Sequence, residues 1–264
     1  MDQRVRAKQS LGQNFLVDEN MSRKIVQAIN PQPEDVVVEI GPGHGSITRF
    51  LVPQVQQLYA VEIDQRFYDE LENNFSHYSN FELIRRDILA FDLHDLELNE
   101  RVRVLGNIPY NITSPILFRM FDQRESITDV TLLLQKEVGL RMVAQPNTKA
   151  YGILAVFSQA FADVKMLLNV PPTVFQPRPK VDSTLVQWRF TNKRDRLIED
   201  EHVFRSIVKK AFGLRRKMLR NSLKEFAQHT SFDFTRRPEQ LSVEEWIRLS
   251  NELTAVAHEM GINS

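Results

Sequence analysis

The stretch Val36-Val37-Val38-Glu39-Ile40-Gly41-Pro42-Gly43-His44-Gly45 decides the fold. Its first half is short, aliphatic and rich in β-branched residues, and it stops at glycine, which is how a buried strand reads. The glycines that follow allow a ligand to approach the backbone, because a side chain there would occupy the ligand's space. Their spacing is G-x-G-x-G with Ser46 next, so the dinucleotide pattern G-x-G-x-x-G/A is not met. A phosphate-binding P-loop fails too, since no Gly-Lys-Ser/Thr follows. Taken alone, the motif fits either a ligand turn or a merely tight one.

Outward from this strand, Leu58–Ile63, Phe81–Arg86, Val102–Gly106 and Val130–Gln135 have the same character. Helix-length stretches separate them, such as Gln65–His77 with Phe67, Leu71 and Phe75 four apart. This alternation predicts an α/β fold, a Rossmann-like parallel sheet with helices on both faces. Val181–Phe190, after Pro177-Arg178-Pro179, reads as a late strand at the sheet edge. Strand signals stop near Asn192. Phe204/Val208/Ala211/Phe212, Leu219/Leu223/Phe226 and Val243/Trp246/Ile247/Leu253 then have helical spacing, with Gly213 between the first two groups. The expected division is therefore an α/β domain over 1–192 and a small all-helical domain over 193–264.

The chain has 264 residues, no cysteine, 42% hydrophobic content and equal numbers of acids and bases. Without cysteine it has no disulfide, thiolate zinc site, Fe–S cluster or thiol nucleophile. The longest apolar run, Ile153–Phe157, is far below the roughly 20 residues of a membrane helix. No apolar core of a signal peptide follows Arg4, Arg6 and Lys8, so a soluble cytoplasmic protein without a membrane partner is expected. Net neutrality hides one asymmetry: residues 205–220 carry seven basic side chains and no acid. Such a run is either a solvated helix face or a local nucleic-acid surface.

Glu62 ends the second strand, 21 residues after Gly41, where a carboxylate can accept both hydroxyls of a ribose. Asp87 closes the third strand in the same way. Singly, either reads equally as a surface carboxylate or a helix cap; together with Gly41 they fall on one carboxyl edge, where open α/β sheets bind ligands. The fourth strand runs into Asn107-Ile108-Pro109-Tyr110. Asn107 supplies a side-chain carbonyl, a main-chain carbonyl follows, Pro109 fixes the bend and Tyr110 offers a stacking face. Two acceptors on an exocyclic amine orient it and favour the electron-rich tetrahedral nitrogen that can attack an electrophile. An aromatic face suits a base extruded from its stack. An isolated Asn-x-Pro-Tyr is an ordinary turn; at the end of strand four, beside a cofactor edge, it reads as a site.

Together with Leu11-Gly12-Gln13-Asn14-Phe15-Leu16, Leu134-Gln135-Lys136-Glu137-Val138 and Phe175–Ser183, these motifs resemble those of the ribosomal RNA adenine dimethyltransferase family, nearest its bacterial small-subunit branch. The resemblance runs in order over nearly the whole chain. It implies a class I methyltransferase fold, S-adenosylmethionine as donor without a metal, and N6,N6-dimethylation of two adjacent adenosines in the 3′-terminal hairpin loop of 16S rRNA, within a 30S subunit or its precursor. Carried over by position, Asn14 and Leu16 cover the donor, Gly41 and Gly43 lie against its methionine part, Glu62 holds its ribose and Asp87 its adenine amine. Asn107 sits at the reacting centre with Pro109 and Tyr110. Phe175 either sandwiches the adenine opposite Tyr110 or is a core residue beneath its loop.

The resemblance leaves two other readings. An Erm-type enzyme acting on 23S rRNA would use the same chemistry on a different RNA, and a non-catalytic RNA-binding or transcription-factor relative would use the same fold. The complete set Gly41, Glu62, Asp87 and Asn107 argues against the latter. In the tail, Arg215, Arg216, Lys217 and Arg220 are expected on the polar side of a helix whose apolar side is Leu219, Leu223 and Phe226, free to meet rRNA phosphates. His44 has no assigned role, the six histidines form no metal or catalytic set, and a monomer is expected.

Overall fold

The computed structural model describes residues 13–109, 112–191 and 193–261. Among them the strands are Phe15–Leu16 (β1), Val36–Ile40 (β2), Gln57–Glu62 (β3), Phe81–Arg85 (β4), Val102–Asn107 (β5), Ile127–Gln135 (β6), Asp163–Val170 (β7), Phe175–Gln176 (β8) and Ser183–Arg189 (β9). Seven of them form one sheet in the order β4-β3-β2-β5-β6-β9-β7. The pairs β3–β4, β2–β3, β2–β5 and β5–β6 are parallel, and β6–β9 is antiparallel. The order reverses at β2, whose neighbours are β3 on one side and β5 on the other. That is the switch point outside whose carboxyl ends an open sheet forms a ligand crevice.

The helices are Glu19–Ile29 (α1), Thr48–Leu51 (α2), Tyr68–Phe75 (α3), Thr113–Asp122 (α4), Lys136–Met142 (α5), Ile153–Phe161 (α6), Glu201–Gly213 (α7), Leu219–Ser222 (α8) and Val243–Glu259 (α9). Local chemistry sets their ends. The Asp18 carboxylate accepts from the Met21 amide at 2.7 Å to start α1, and left-handed Asn30 stops it. Ser242 and Glu245 form a reciprocal capping box at the start of α9. None of these helices is long and apolar enough to cross a membrane.

Two compact units emerge. One comprises the chain up to Gly139 with Lys165–Phe190, and the other Leu140–Val164 with the chain from Thr191 onward. The sheet belongs to the first, whose fully buried side chains include Trp188 and Phe67. In the second, Phe204 of α7 packs at 5.8 Å from Phe157 and 6.1 Å from Phe161 of α6. The boundary expected at 192 thus captures only the last change of unit, because α6 joins the C-terminal helices.

Three expectations change in detail. Residues 65–77 open with a 3-10 turn, Gln65–Phe67, before α3 ends at Phe75. The late strand is β9, and it lies inside the sheet between β6 and the unforeseen edge strand β7. Leu219, Leu223 and Phe226 are all buried, yet α8 is four residues long and a separate 3-10 turn covers Lys224–Phe226. Arg215–Lys217 therefore precede the helix rather than ride on it.

Candidate functional site

At the carboxyl ends of β2, β3 and β5 a cavity of about 270 Å³ opens. Asn14, Leu16, Gly41, Gly43, Glu62, Asp87, Asn107 and Pro109 all line it, so eight residues singled out from the sequence share one wall. The glycine turn explains its own composition. Gly41, Gly43 and Gly45 have φ of 62°, 55° and 71°, a region that costs other residues strain. A Cβ built on Gly41 would meet nothing within 4 Å, so the space beside it is open to a ligand. A Cβ on Gly45 would lie 2.4 Å from the Phe75 ring, so that glycine serves packing.

Glu62 is 5% exposed and organises the cavity floor. One carboxylate oxygen accepts from the Ile63 and Asp64 amides at 2.9 and 2.8 Å, the other from the Gly43 amide at 3.2 Å. Burial pushes its carboxyl upward, and these three N–H groups oppose that. A carboxylate has about four lone-pair sites, so capacity remains for a bound hydroxyl. Next to it, Arg66 holds Asp64 down to about 2. Asp87 is half-buried, and its carboxylate accepts from the Leu89 amide at 2.9 Å.

Asn107 donates from its side-chain amide to the main-chain carbonyl of Asn14 at 3.2 Å. That bond fixes the amide's sense and leaves its carbonyl oxygen as the acceptor available to the cavity. The segment around β1 is fastened at several points. The Ser46 hydroxyl donates to the Leu16 carbonyl at 2.6 Å, and β1 pairs antiparallel with β8, Leu16 opposite Phe175. His44, unassigned from the sequence, holds both carboxylate oxygens of Glu70 through Nδ1 at 2.9 and 3.0 Å. Its ring stands edge-on to Phe15 and Phe67, at 4.8 and 5.0 Å, so it buttresses the strand that covers the cavity.

Phe175 is a correction. It is 4% exposed, belongs to the hydrophobic core with Leu16 and Val174, and does not line the cavity. The outward-facing member of β8 is Gln176. Tyr110 lies outside the described residues, as do Leu11 and Gly12. In the C-terminal unit Arg216, Lys217 and Arg220 are exposed, but Arg215 is committed. Its guanidinium bonds the Glu239 carboxylate at 2.8 Å and the Lys149 carbonyl at 2.8 Å.

Sequence reasoning missed Glu39. It is 3% exposed, reaches the cavity wall, and among the described residues accepts from the Thr48 hydroxyl at 2.7 Å. Burial raises its carboxyl to about 7, Thr48 opposes this, and the charge of Glu62 adds to it. The signal was present: a lone acid inside the otherwise apolar VVVEI.

A glycine turn, an acid at the end of the next strand and an Asn-Ile-Pro turn thus meet at the switch point of a sheet with the class I methyltransferase architecture. The profile of the family described as Ribosomal RNA adenine dimethylase matches residues 4–255. The chain belongs to that family and is an rRNA adenine methyltransferase, and membership implies a donor of the S-adenosylmethionine type. Among its relatives, Ribosomal RNA small subunit methyltransferase A of Francisella tularensis subsp. tularensis (strain WY96-3418) is 41% identical over 263 residues, covering 96% of this chain and all of the relative. A dimethyladenosine transferase from Plasmodium falciparum shares the fold with a TM-score of 0.78 at 23% identity, over 91% of this chain and 98% of the other. The 23S rRNA methyltransferase ErmE matches with a TM-score of 0.67 at 26% identity, over 91% and 99%.

Proposed function

We propose that the protein transfers methyl groups from S-adenosylmethionine to N6 of two adjacent adenosines in the 3′-terminal hairpin loop of 16S rRNA. The substrate would be a 30S subunit or its precursor, and the reaction cytoplasmic. The observation that carries this is the meeting of Asn107 with Glu62 and the glycine turn in one cavity. The open cradle at Gly41 and the acid-lined floor fit a ligand that is a nucleoside joined to a cationic amino acid. Gly41 and Gly43 then face the methionine part, Glu62 accepts from the ribose, Asp87 accepts from the adenine amine, and Asn14 and Leu16 cover the bound donor.

When bound, the donor supplies a methyl group already activated by a sulfonium leaving group. The chain's task is to hold N6 in line with that methyl, at a near-attack distance of about 3–3.5 Å. The Asn107 carbonyl and a main-chain carbonyl of the Asn107–Pro109 turn accept the two N–H bonds of the amine. Asn107 cannot take a proton, so the methylated nitrogen loses its proton to water after transfer. Target bases in a hairpin loop are already partly unstacked, which lowers the few kcal/mol cost of extrusion. Arg216, Lys217 and Arg220 are the tail residues suited to rRNA phosphates, while Arg215 serves its own unit.

Identity of 41% to a small-subunit methyltransferase, against 26% to a 23S enzyme, favours the 16S target. Labelled donor incubated with unmodified 30S particles should yield N6,N6-dimethyladenosine at two adjacent positions on nucleoside analysis. Label found instead in 23S rRNA, or none with intact particles, would refute the assignment.

A further inference from the structure

Phe15 of β1 is walled on three sides. The backbone of the glycine turn is one wall, since a Cβ built on Gly43 would lie 3.4 Å from the Phe15 ring. Phe67, fully buried in the 3-10 turn before α3, is the second, with ring centroids 5.5 Å apart. The third is the His44 ring, edge-on to Phe15 at 4.8 Å and to Phe67 at 5.0 Å. Gly43 and Phe67 are fixed by the turn and by the core. His44 is partly buried, and Glu70 of α3 holds it, with two carboxylate oxygens 3.0 and 2.9 Å from Nδ1. A carboxylate only accepts, so Nδ1 carries the proton and donates it. The position thus asks for a flat face toward Phe15 and an N–H toward Glu70. Histidine supplies both, whereas leucine or phenylalanine would supply only packing.

We propose that His44, held by Glu70, is a positioning residue for methyl transfer: it fixes Phe15, and through Phe15 the Asn14 carbonyl that orients the Asn107 amide. The inference rests on the acceptor role proposed above for Asn107. The link from Phe15 to that carbonyl is covalent. The Asn14 carbonyl and the nitrogen and Cα of Phe15 belong to one planar peptide unit, so a shift of the Phe15 Cα carries the plane with it. The Asn107 amide donates to this carbonyl at 3.2 Å, and its own carbonyl oxygen points where that bond turns it. Strand pairing alone fixes the plane weakly, because β1 is two residues long and so is its partner β8. Side-chain anchors complete the fastening. Ser46 bonds the Leu16 carbonyl at 2.6 Å, Gln13 donates to the Asp64 carboxylate at 3.3 Å, and His44 holds the Phe15 ring between them.

The test is single-turnover methylation by the full chain, with labelled S-adenosylmethionine and unmodified 30S particles both saturating. His44→Ala should lower the rate about tenfold to a hundredfold. In an Asn107→Ala background the same substitution should change the rate by less than about twofold, because the two residues act through one bond. Glu70 is partly exposed, so Glu70→Ala removes the anchor without opening the core, and it should slow transfer as well. Glu70→Gln keeps an acceptor for Nδ1 and should recover most of that loss. Equal fold-losses from His44→Ala in the two backgrounds would make His44 a structural prop and overturn the inference. A parent-like rate in His44→Ala or in Glu70→Ala, or no recovery in Glu70→Gln, would also overturn it, each leaving the role of Asn107 standing. An Asn107→Ala variant as fast as the parent, or a parent that leaves 30S particles unmethylated, would overturn both readings.

Discussion

Glu39→Gln should stabilise the protein above neutral pH, and by an amount the structure sets. The Glu39 carboxyl rises from an ordinary 4.5 to about 7 in the folded chain. A raised acid favours the folded state only while protonated. Its contribution is therefore intact below about 4.5 and is lost as pH climbs through about 7, because the unfolded chain ionises first. A shift of that size corresponds to about 3 kcal/mol at most. Glutamine keeps the carbonyl that accepts from Thr48 and carries no titrating proton, so the difference between variant and parent isolates this one group. Urea unfolding at pH 5, 6, 7 and 8 measures it. The sheet unit can be followed by Trp188 fluorescence in a Trp246→Phe background, since the chain has two tryptophans, one in each unit. The variant's advantage should grow from small at pH 5 to a plateau above pH 7. An advantage independent of pH, or one that shrinks as pH rises, would refute the reasoning.

Asn107→Ala should lower the single-turnover methylation rate about tenfold to a thousandfold at saturating donor and RNA, with RNA affinity little changed. Glu62→Ala should weaken donor binding in calorimetry, each lost charge-assisted hydrogen bond contributing roughly 1.5–3 kcal/mol, while the circular dichroism spectrum stays that of the folded protein. Gly45→Ala should destabilise by about 1–3 kcal/mol in urea unfolding, since it combines positive φ with a Cβ 2.4 Å from Phe75; Gly213→Ala, at the open end of α7, should be neutral or stabilising by up to about 1 kcal/mol. Charge reversal at Arg216, Lys217 and Arg220 should weaken binding to 30S particles and flatten its salt dependence by about 0.7–0.9 per lost phosphate contact, leaving donor affinity unchanged.

What the sequence made legible was whatever has a local physical signature. VVVEI and the runs at 58–63, 81–86 and 102–106 are apolar enough to name their strands, and the strand ends then name the cavity. Asp163–Val170 escaped because its pattern has no clean alternation and it follows α6 directly. The two-residue strands β1 and β8 carry no periodicity, and their pairing spans more than 150 residues of sequence. Phe175 shows the limit of motif reading. A conspicuous aromatic in a proline-flanked loop suggests stacking, whereas packing beside Leu16 and Val174 decides where its ring goes. Arg215 fails for the same reason: its partner Glu239 is distant in sequence, so a run of bases looked uniformly free.

The β1 segment ties the glycine turn to the Asn107 turn. Its Asn14 carbonyl sets the Asn107 amide, its Leu16 carbonyl receives Ser46 of the glycine turn, and its Phe15 rests on His44 and Phe67. One short segment therefore touches both the glycine turn and Asn107, and through β8 it is joined to the loop that begins at Phe175. In the transfer proposed above, alignment supplies most of the rate, and a displacement of about 1 Å can cost a hundredfold. The orientation of the Asn107 amide is then as consequential as its presence. Because that orientation comes from a main-chain carbonyl, no side-chain motif at position 14 could have revealed it; it follows from where β1 lies.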